Sequence, residues 1–244
     1  MTQHFNQKQL RFFLTPAAPC PYLPGRRERK VFTSLESPNA LALQDALTQA
    51  GFRRSQNIAY RPACESCDAC VSARVRVAEF EFSRRWRKVL NRNADLVASL
   101  HPAEATEEQF WLLRRYLSSR HPDGGMAEMS LLDYAAMVAE TSVRTHIVEY
   151  RYRQGPEAGE LAACALVDVL TDGFSLVYSF FDPRDPRRGL GAFTILDHIR
   201  QARRGGFDHV YLGYWVGQNG LQNRVPAFGC PGAGGMEALR PCPV

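Results

Sequence analysis

The sequence lacks any run of apolar residues that approaches the roughly 18 needed to cross a bilayer. Its first residues also lack the charged and then apolar pattern of a secretory signal peptide. We therefore expect a cytoplasmic location and no membrane partner. There is no internal repeat, and the 244 residues suit one large domain or two small ones with a sizeable core.

A strong excess of one charge is also missing, because the formal net charge is only +5. Charge alone therefore does not indicate a nucleic-acid partner. The cations are nevertheless clustered: residues 74–92 hold seven Lys and Arg against two Glu, and Arg184, Arg187 and Arg188 form a second basic group. Either group alone fits a solvated surface, but the two together favour a polyanionic partner.

The seven cysteines do not form an even set, and without an export signal they argue against a disulfide framework. Cys64, Cys67 and Cys70 are separated by two-residue gaps, a spacing at which three thiolates can bind one metal ion. Cys20, held between two prolines, is the candidate fourth ligand. A structural zinc ion and an iron–sulfur cluster both fit such a set, and unligated thiols in a turn are the alternative. Cys164 lies in a predicted strand and fits a small buried hydrophobe.

Apolar periodicity and turn residues predict a chain that mixes α and β structure. Three strands over 145–153, 160–170 and 173–181 are separated by short turns and form an antiparallel meander. A Gly-containing loop, a helix over 192–204 and a strand over 210–215 follow. This order predicts an N-acetyltransferase-like α+β or α/β fold, with a mixed sheet flanked by helices.

A smaller, cysteine-rich region is predicted to precede that fold. The elements predicted before the meander are helices over 37–52, 83–100, 106–120 and 130–140, and a strand, broken near Ala78, over 71–82. The chain then divides into a cysteine-rich region 1–100, an acetyltransferase-like domain 101–216 and a tail 217–244. The tail is rich in Gly, Pro and Cys without a helix or strand period, so we expect it to be irregular and poorly ordered, as a frameshifted segment would be.

Two sets of sequence strings match a known family. The N-terminal set is Cys20-Pro21-Tyr22-Leu23-Pro24, Gly51-Phe52-Arg53-Arg54-Ser55 and Tyr60-Arg61-Pro62, followed by the three cysteines. The C-terminal set is Tyr178-Ser179-Phe180-Phe181-Asp182-Pro183, Gly189-Leu190-Gly191 and Tyr211-Leu212-Gly213-Tyr214-Trp215. Over about residues 15–215 the sequence resembles the bacterial aspartate/glutamate leucyltransferases, relatives of the eukaryotic arginyl-tRNA–protein transferases.

The resemblance implies an aminoacyltransferase that moves leucine from leucyl-tRNA to the N-terminal Asp or Glu of acceptor proteins, in the N-degron pathway. Its partners would be charged tRNA and those proteins, not DNA, and its chemistry would require no cofactor. Arginine as the donor amino acid is one alternative. An acyl-CoA-dependent N-acetyltransferase is another, although Pro186 occupies the Arg or Gln position of the pyrophosphate loop in such enzymes. The lysine of the family's C-terminal segment is absent after Trp215, which predicts impaired activity.

The implied reaction is an aminolysis, in which the α-amine of the acceptor attacks the ester that joins the amino acid to the tRNA. The protein must position both substrates, keep the amine neutral and stabilise the developing oxyanion. The candidate catalytic residues are Tyr178, Asp182 and Tyr214, which lie at predicted strand ends beside the Gly-containing loop. Tyr178 is expected to hydrogen-bond the ester and Asp182 to relay a proton, with a turn-capping aspartate as the alternative for Asp182.

Two groups of cations complete the predicted site. Arginine binds carboxylates bidentately, so the candidates for binding the acceptor's acidic side chain are Arg53, Arg54, Arg61 and Arg76. The candidates for contacting tRNA phosphates are Arg84, Arg85, Arg87, Lys88, Arg187 and Arg188.

Overall fold

A computed structural model of the chain describes residues 10–122, 124–216 and 235–239. The strands are β1 (Phe13–Leu14), β2 (Ala18–Pro19), β3 (Arg27–Glu28), β4 (Lys30–Ser34), β5 (Arg53–Ser55), β6 (Ile58–Pro62), β7 (Cys70–Arg76), β8 (Leu96–Pro102), β9 (Thr145–Tyr152), β10 (Leu161–Val169), β11 (Gly173–Phe181), β12 (His209–Val216) and β13 (Met236–Leu239). The helices are α1 (Ala40–Gln49), α2 (Arg84–Arg92), α3 (Glu107–Arg120), α4 (Leu131–Ala139) and α5 (Leu190–Arg204).

The N-terminal unit is a four-stranded antiparallel sheet in the order β1-β4-β6-β5. Helix α1 packs on it through Leu47, which joins Leu35, Phe52 and Ala59 in a small buried core. Gly51 follows the helix with a φ of +84°, a left-handed conformation that lets the chain leave the helix and enter β5 at once. The next residues, Arg53 and Arg54, are thereby brought to the border of the main sheet.

The main sheet has seven strands in the order β13-β7-β12-β11-β10-β9-β8. Every neighbouring pair is antiparallel except β11 and β12, which are parallel. A parallel pair needs a crossover connection, and α5 supplies it. The predicted antiparallel meander is confirmed as β9, β10 and β11, and the predicted mixed sheet flanked by helices is confirmed as well.

Helices cover both faces of the main sheet. Successive residues of a strand point to opposite faces, and in β10 Val167 packs with α5 and α2 whereas Leu166 packs with α3 and α4. The first cluster is centred on Leu196 and Ile199 of α5, and the second on Leu113 of α3. Burial of these two apolar layers holds the sheet between its helices.

The helix starts are encoded locally. Thr106 accepts a hydrogen bond from the backbone N–H of Gln109, whose side chain accepts one from the backbone N–H of Thr106, which is a complete capping box for α3. Ser130 and Asp133 form the same arrangement at the start of α4. These two helices were predicted with nearly the observed bounds because their start signals are short-range.

Two predictions about the organisation of the chain were wrong or incomplete. The basic helix predicted over 83–100 ends at Arg92, because residues 96–102 pair with β9 as the edge strand β8. The boundary suggested at residue 101 does not separate the two sheets, because β7 lies within the main sheet between β12 and β13.

No helix in the described part of the chain is long and apolar enough to cross a membrane.

The C-terminal tail is not irregular throughout. Residues 236–239 form β13, which pairs antiparallel with β7 in the register Met236 to Val75. Met236 is buried in the core shared with α5, and the Glu237 carboxylate accepts a hydrogen bond from Arg74 at 2.7 Å. The prediction of an irregular tail is therefore wrong for these four residues, while residues 217–234 and 240–244 lie outside the described part of the chain.

Candidate active site

The parallel strands β11 and β12 separate soon after they begin. They are paired only from Gly173 with His209 to Ser175 with Tyr211. Each strand then has a register shift: Val177 is the extra residue in β11 against β10, and Leu212 is the extra residue in β12 against β7. Such bulges bend a strand and re-aim its side chains. Beyond Ser175 and Tyr211 the two strands are no longer paired with each other, which leaves an opening between them.

The side chain of Arg53 occupies this opening. Its Nη2 atom donates hydrogen bonds to the carbonyl oxygens of Leu176 at 2.8 Å and Val177 at 2.9 Å. These are carbonyls of β11 beyond the segment that pairs with β12, so the guanidinium takes the place of ladder partners. Gly213 has a φ of +104°, and a Cβ atom there would overlap the Arg53 guanidinium. The backbone conformation therefore favours glycine at this position, and the absence of a Cβ atom leaves room for the guanidinium where it stands.

A cleft with a volume of about 390 Å³ opens beside this arginine. The volume falls in the range of small-molecule sites. Its lining residues are Tyr22, Arg53, Arg54, Ser55, Gln56, Tyr60, Met126, Met137, Val177, Tyr178, Leu212, Gly213 and Tyr214. They come from the N-terminal unit, the loop before α4, α4 itself, and the two diverging strands. The cleft therefore lies where the N-terminal unit meets the main sheet.

Two of the three predicted catalytic residues line the cleft. Tyr178 borders it on β11 and Tyr214 borders it on β12. The Tyr214 hydroxyl donates to the carbonyl oxygens of Gly51 and Tyr60, at 3.0 Å each, and so ties β12 to the N-terminal unit. Burial raises the pKa of Tyr214 well above its ordinary value, and the nearby charges of Arg53 and Arg61 offset only part of that rise. Tyr214 is consequently held as a neutral phenol.

The prediction that Asp182 relays a proton was wrong. Asp182 is 3% exposed and is not part of the cleft lining. Its Oδ1 accepts a hydrogen bond from the backbone N–H of Arg184 at 2.9 Å, and its Oδ2 accepts one from Arg184 Nε at 2.7 Å. The aspartate therefore caps the turn after β11, which was the alternative reading of its sequence context.

The four arginines predicted to bind the acceptor separate in the structure. Arg53 reaches the cleft, and the guanidinium of Arg61 lies over the Phe52 ring, 5.0 Å from its centroid. Arg76 is an exposed residue paired with Glu79 at 2.7 Å, outside the cleft lining. The prediction for Arg76 is therefore not supported by its position.

The prediction that Arg54 binds the acceptor is also not supported, because a buried carboxylate already neutralises its charge. The residue is 5% exposed, and its Nε and Nη2 atoms donate to the two oxygens of Asp168 at 2.7 and 2.8 Å. Asp168 is 0% exposed and also accepts hydrogen bonds from Thr145 and Gln44. A buried, bidentate pair of this kind joins β5 to β10 and is structural.

The basic residues of α2 form an exposed groove. Arg84, Arg85, Lys88 and Arg92 line it over about 510 Å³, and the Arg85 guanidinium stacks on the Trp86 ring, 4.7 Å from its centroid. The predicted residue Arg87 borders a neighbouring groove with Arg203. The loop before α5 adjoins this surface, since Arg92 donates to the carbonyl of Arg187.

The two predicted arginines of that loop differ from each other. The Arg187 side chain is 87% exposed, and its only carboxylate partner among the described residues is the neighbouring Asp185. Arg188 is largely buried, with Nη2 donating to Asp95 at 2.5 Å and Nε donating to Asn93 at 3.0 Å. The Arg188 charge therefore anchors the loop to the end of α2, and the prediction of a phosphate contact for Arg188 was wrong.

The four predicted metal ligands are neighbours without forming a metal site. Burial, and next to it the charges of Cys20, Cys64 and Cys67, raises the pKa of the Cys70 thiol to about 11. Among the described residues, however, no group of three or more His, Cys, Asp and Glu side chains is arranged to hold a metal ion. In this arrangement, these thiols do not fit a four-ligand zinc or cluster site. Cys164 is buried, as predicted.

Packing and backbone conformation account for the two glycines of the loop before α5. A Cβ atom at Gly191 would lie 2.9 Å from Cε1 of Phe181, so this glycine lets the start of α5 approach β11 closely. Gly189 has a φ of +63° and turns the chain from the short 3-10 helix Pro186–Arg188 into α5. These contacts explain the two glycines without an acyl-CoA ligand.

Several cleft residues were not anticipated from the sequence. Tyr22 and Tyr60 belong to strings that carried the family resemblance, so that signal was present in the sequence. Met126 and Met137 carried none, because methionines in a loop and on an amphipathic helix usually indicate core packing. Packing of α3 and α4 on the main sheet brings these two methionines to the same cleft as Arg53.

Two family models match the chain. The model described as the N terminus of arginine-tRNA-protein transferase matches residues 18–88, and the model described as its C terminus matches residues 108–220. The first range holds β5 with Arg53, and the second holds both diverging strands. The two matched segments therefore meet at the cleft.

Curated relatives match across both segments. A protein of Phenylobacterium zucineum (strain HLK1) named aspartate/glutamate leucyltransferase is 64% identical over 219 residues, which are 88% of this chain and 84% of that protein. Proteins with the same name from Caulobacter vibrioides (strain NA1000 / CB15N) and Bradyrhizobium sp. (strain ORS 278) are 63% and 58% identical, and the matches cover 78% and 85% of those proteins. At this identity and coverage, the chain belongs to the aspartate/glutamate leucyltransferase family.

Proposed function

We propose that this protein transfers leucine from leucyl-tRNA to the α-amine of acceptor proteins that begin with Asp or Glu. The names of its relatives support this reaction. The observation that carries the proposal is the cleft between β11 and β12, which combines the cation of Arg53 with an apolar wall and tyrosine rings. An acidic acceptor, an apolar donor and an ester call for these three kinds of group.

The proposed step forms one bond and breaks another. The lone pair of the acceptor's neutral α-amine attacks the ester carbonyl carbon, the new C–N bond forms, and the ester C–O bond breaks. The ribose hydroxyl of the tRNA leaves with a proton that the amine gives up. Because the ester is already activated, the enzyme acts by holding the two reactants together, excluding water and stabilising the oxyanion.

Arg53 is the proposed site for the acceptor's acidic side chain. It reaches the cleft from β5 and is held by the carbonyls of Leu176 and Val177, so its position is fixed before the acceptor binds. Arg61, whose charge acts on the neighbouring Tyr214, adds to the positive potential there. Preorganised cations of this kind favour Asp and Glu over their amides.

Tyr178 is the proposed partner of the ester. It borders the cleft one residue after Val177, whose carbonyl is bound by Arg53. A phenolic O–H at this point can donate to the oxygen on which negative charge develops. The Tyr214 ring, whose hydroxyl is bound to two carbonyls, is assigned to shaping the cleft.

The tRNA body is proposed to lie on the basic groove of α2 and the adjoining loop. Arg84, Arg85, Lys88 and Arg187 are exposed there and can bind phosphates, and Arg87 borders the neighbouring groove. The mixed sheet is proposed to be of the N-acetyltransferase-like kind, in which diverging parallel strands hold the acyl group. The protein is proposed to act in the cytoplasm, and no step in the mechanism uses a metal ion.

A transfer assay tests this proposal. The 244-residue chain is mixed with tRNA charged with radioactive leucine and with a folded acceptor protein that begins with Asp, and label on the acceptor is measured. Acceptors that begin with Asn and Ala, and tRNA charged with arginine, are the controls. We expect label only with leucine and the acidic acceptor. Absence of label on the Asp acceptor would refute the proposal.

A further inference from the structure

The apolar wall of the cleft consists of Met126, Met137 and Val177, which line the cleft and pack against the same core. Met126 comes from the loop before α4, Met137 from α4 and Val177 from β11. Val177 and Leu212 are the two bulge residues at which β11 and β12 leave their regular register. The bulge in β11 therefore supplies one residue of this wall, whereas Leu212 packs with α5 on the opposite face of the sheet.

We propose that this apolar wall binds the side chain of the amino acid carried by the tRNA and selects an uncharged aliphatic donor. The inference rests on the proposed transferase function and deepens it, because it assigns the donor side-chain pocket to named residues.

The wall is backed by packed protein. Met126, Met137 and Val177 are partly buried against the core that α3 and α4 form with the sheet. Each residue therefore keeps a supported position and still borders open space. A leucyl side chain in that space would remove apolar surface from water at little cost in ordering the protein.

Charge in the lining argues against a cationic donor. Among the described lining residues none is Asp or Glu, and the two that carry charge are Arg53 and Arg54. A guanidinium on the donor would lose water, gain no carboxylate from these residues and face Arg53. Burying a charge without a partner is strongly unfavourable, so the same wall that accepts leucine disfavours arginine.

The wall is also adjacent to the proposed reaction centre. Val177 contributes its side chain to the wall and its carbonyl oxygen to Arg53, and Tyr178 follows it. A donor whose side chain contacts Val177 would hold its ester carbonyl near Tyr178 and near the acceptor bound at Arg53. The wall thus positions the reactive carbon as well as selecting the donor.

The experiment changes the wall and the donor independently. One tRNA body is charged chemically with leucine, phenylalanine or arginine, so that recognition of the tRNA body is constant. Transfer to an acceptor beginning with Asp is measured for the unaltered protein and for Met137→Ala, Met126→Ala and Met129→Ala. Met129→Ala is the matched control, because Met129 packs on the same core but does not line the cleft.

We expect Met137→Ala to lower kcat/KM for the leucyl donor by about 10-fold, because it removes methylene contacts. Transfer of phenylalanine should fall less or rise, since the pocket is larger, and arginine should remain the poorest donor throughout. The ratio of leucine to phenylalanine transfer should therefore fall, by about 10-fold where phenylalanine transfer is unchanged, while Met129→Ala leaves that ratio unchanged. A merely structural role would lower transfer of both amino acids equally.

The possible failures are distinguishable. If the unaltered protein transfers nothing, the proposed function is contradicted and the donor pocket with it. If it transfers leucine but the ratio is unchanged in both Met137→Ala and Met126→Ala, the proposed function stands and the donor pocket is overturned. Should Met137→Ala fail to fold, Met126→Ala decides alone, because Met126 lies in a loop rather than within α4.

Discussion

Arg53 and Arg54 are neighbours in one short strand, yet they belong to two different regions of the molecule. Arg53 reaches the cleft and is held by backbone carbonyls of β11, whereas Arg54 is buried against Asp168 on β10. Alternation along β5 sends the two side chains in opposite directions. A pair of arginines that looks uniform in the sequence therefore divides into one residue suited to function and one that holds the fold.

The largest expected effect is the loss of stability in Arg54→Ala. Removing this guanidinium leaves Asp168 buried without its bidentate partner, which should lower the free energy of unfolding by about 3–5 kcal/mol. Urea unfolding followed by circular dichroism measures the change. The control is Arg76→Ala, which breaks an exposed pair with Glu79 and should cost less than about 1 kcal/mol. If the free energy of unfolding fell equally in the two variants, the buried pair of Arg54 with Asp168 would not be a special support of the fold.

The next effect is on catalysis. Arg53→Ala should lower kcat/KM for transfer to an Asp acceptor by about 100-fold, which corresponds to about 2.7 kcal/mol for a charge-assisted interaction. Its free energy of unfolding should fall less than that of Arg54→Ala, since Arg53 binds carbonyls at an open cleft. Full activity in this variant would show that Arg53 does not bind the acceptor's acidic side chain.

Gly213→Ala tests the same region through the backbone. The added Cβ atom would overlap the Arg53 guanidinium and would strain a residue whose φ is +104°. We expect kcat/KM to fall by about 10-fold or more, although the variant still contains Arg53, because the guanidinium is displaced. Gly25→Ala is the control, because Gly25 also has a positive φ but has no heavy atom within 4 Å of the added Cβ. Equal activity of the two variants would contradict the assigned role of Gly213.

A smaller effect is expected on the basic groove. Replacing Arg84, Arg85 and Lys88 together by Ala should raise KM for leucyl-tRNA about 10-fold at moderate salt and reduce the slope of log K against log salt by about 2 to 3. The free energy of unfolding should change little, because these side chains are exposed. Filter binding of charged tRNA at several salt concentrations measures the slope. A slope equal to that of the unaltered protein would exclude this groove as the tRNA surface.

Much of the fold was predictable because its signals are local. The capping boxes at Thr106 and Ser130 fix the starts of α3 and α4, and alternation with turn residues identifies the meander. Strand β8 was missed, because its exposed edge residues follow a basic helix without a strong turn signal. Strand β13 was missed because its pairing with β7 joins residues more than 160 positions apart, a contact that no local pattern encodes.

The site was predictable in part. The family strings contain Arg53, Tyr178 and Tyr214, and these three residues do border one cleft. The strings left open whether Asp182 relays a proton or caps a turn, and they could not show that Arg188 binds Asp95, a partner 93 positions away in the sequence. Residue type and spacing identify groups capable of chemistry, whereas tertiary contacts decide whether their charges are already satisfied.

The most direct test of the account is the acceptor preference of the Arg53→Ala variant. With leucyl-tRNA as the donor, kcat/KM is measured for an acceptor beginning with Asp and for the same acceptor beginning with Asn. The ratio of the two values is compared between the unaltered protein and the variant. The account predicts a large ratio in the unaltered protein and a ratio near one in Arg53→Ala, because the cation that reads the carboxylate is gone. An unchanged ratio in the variant would contradict the assignment of the cleft between β11 and β12 as the place where the acceptor is recognised.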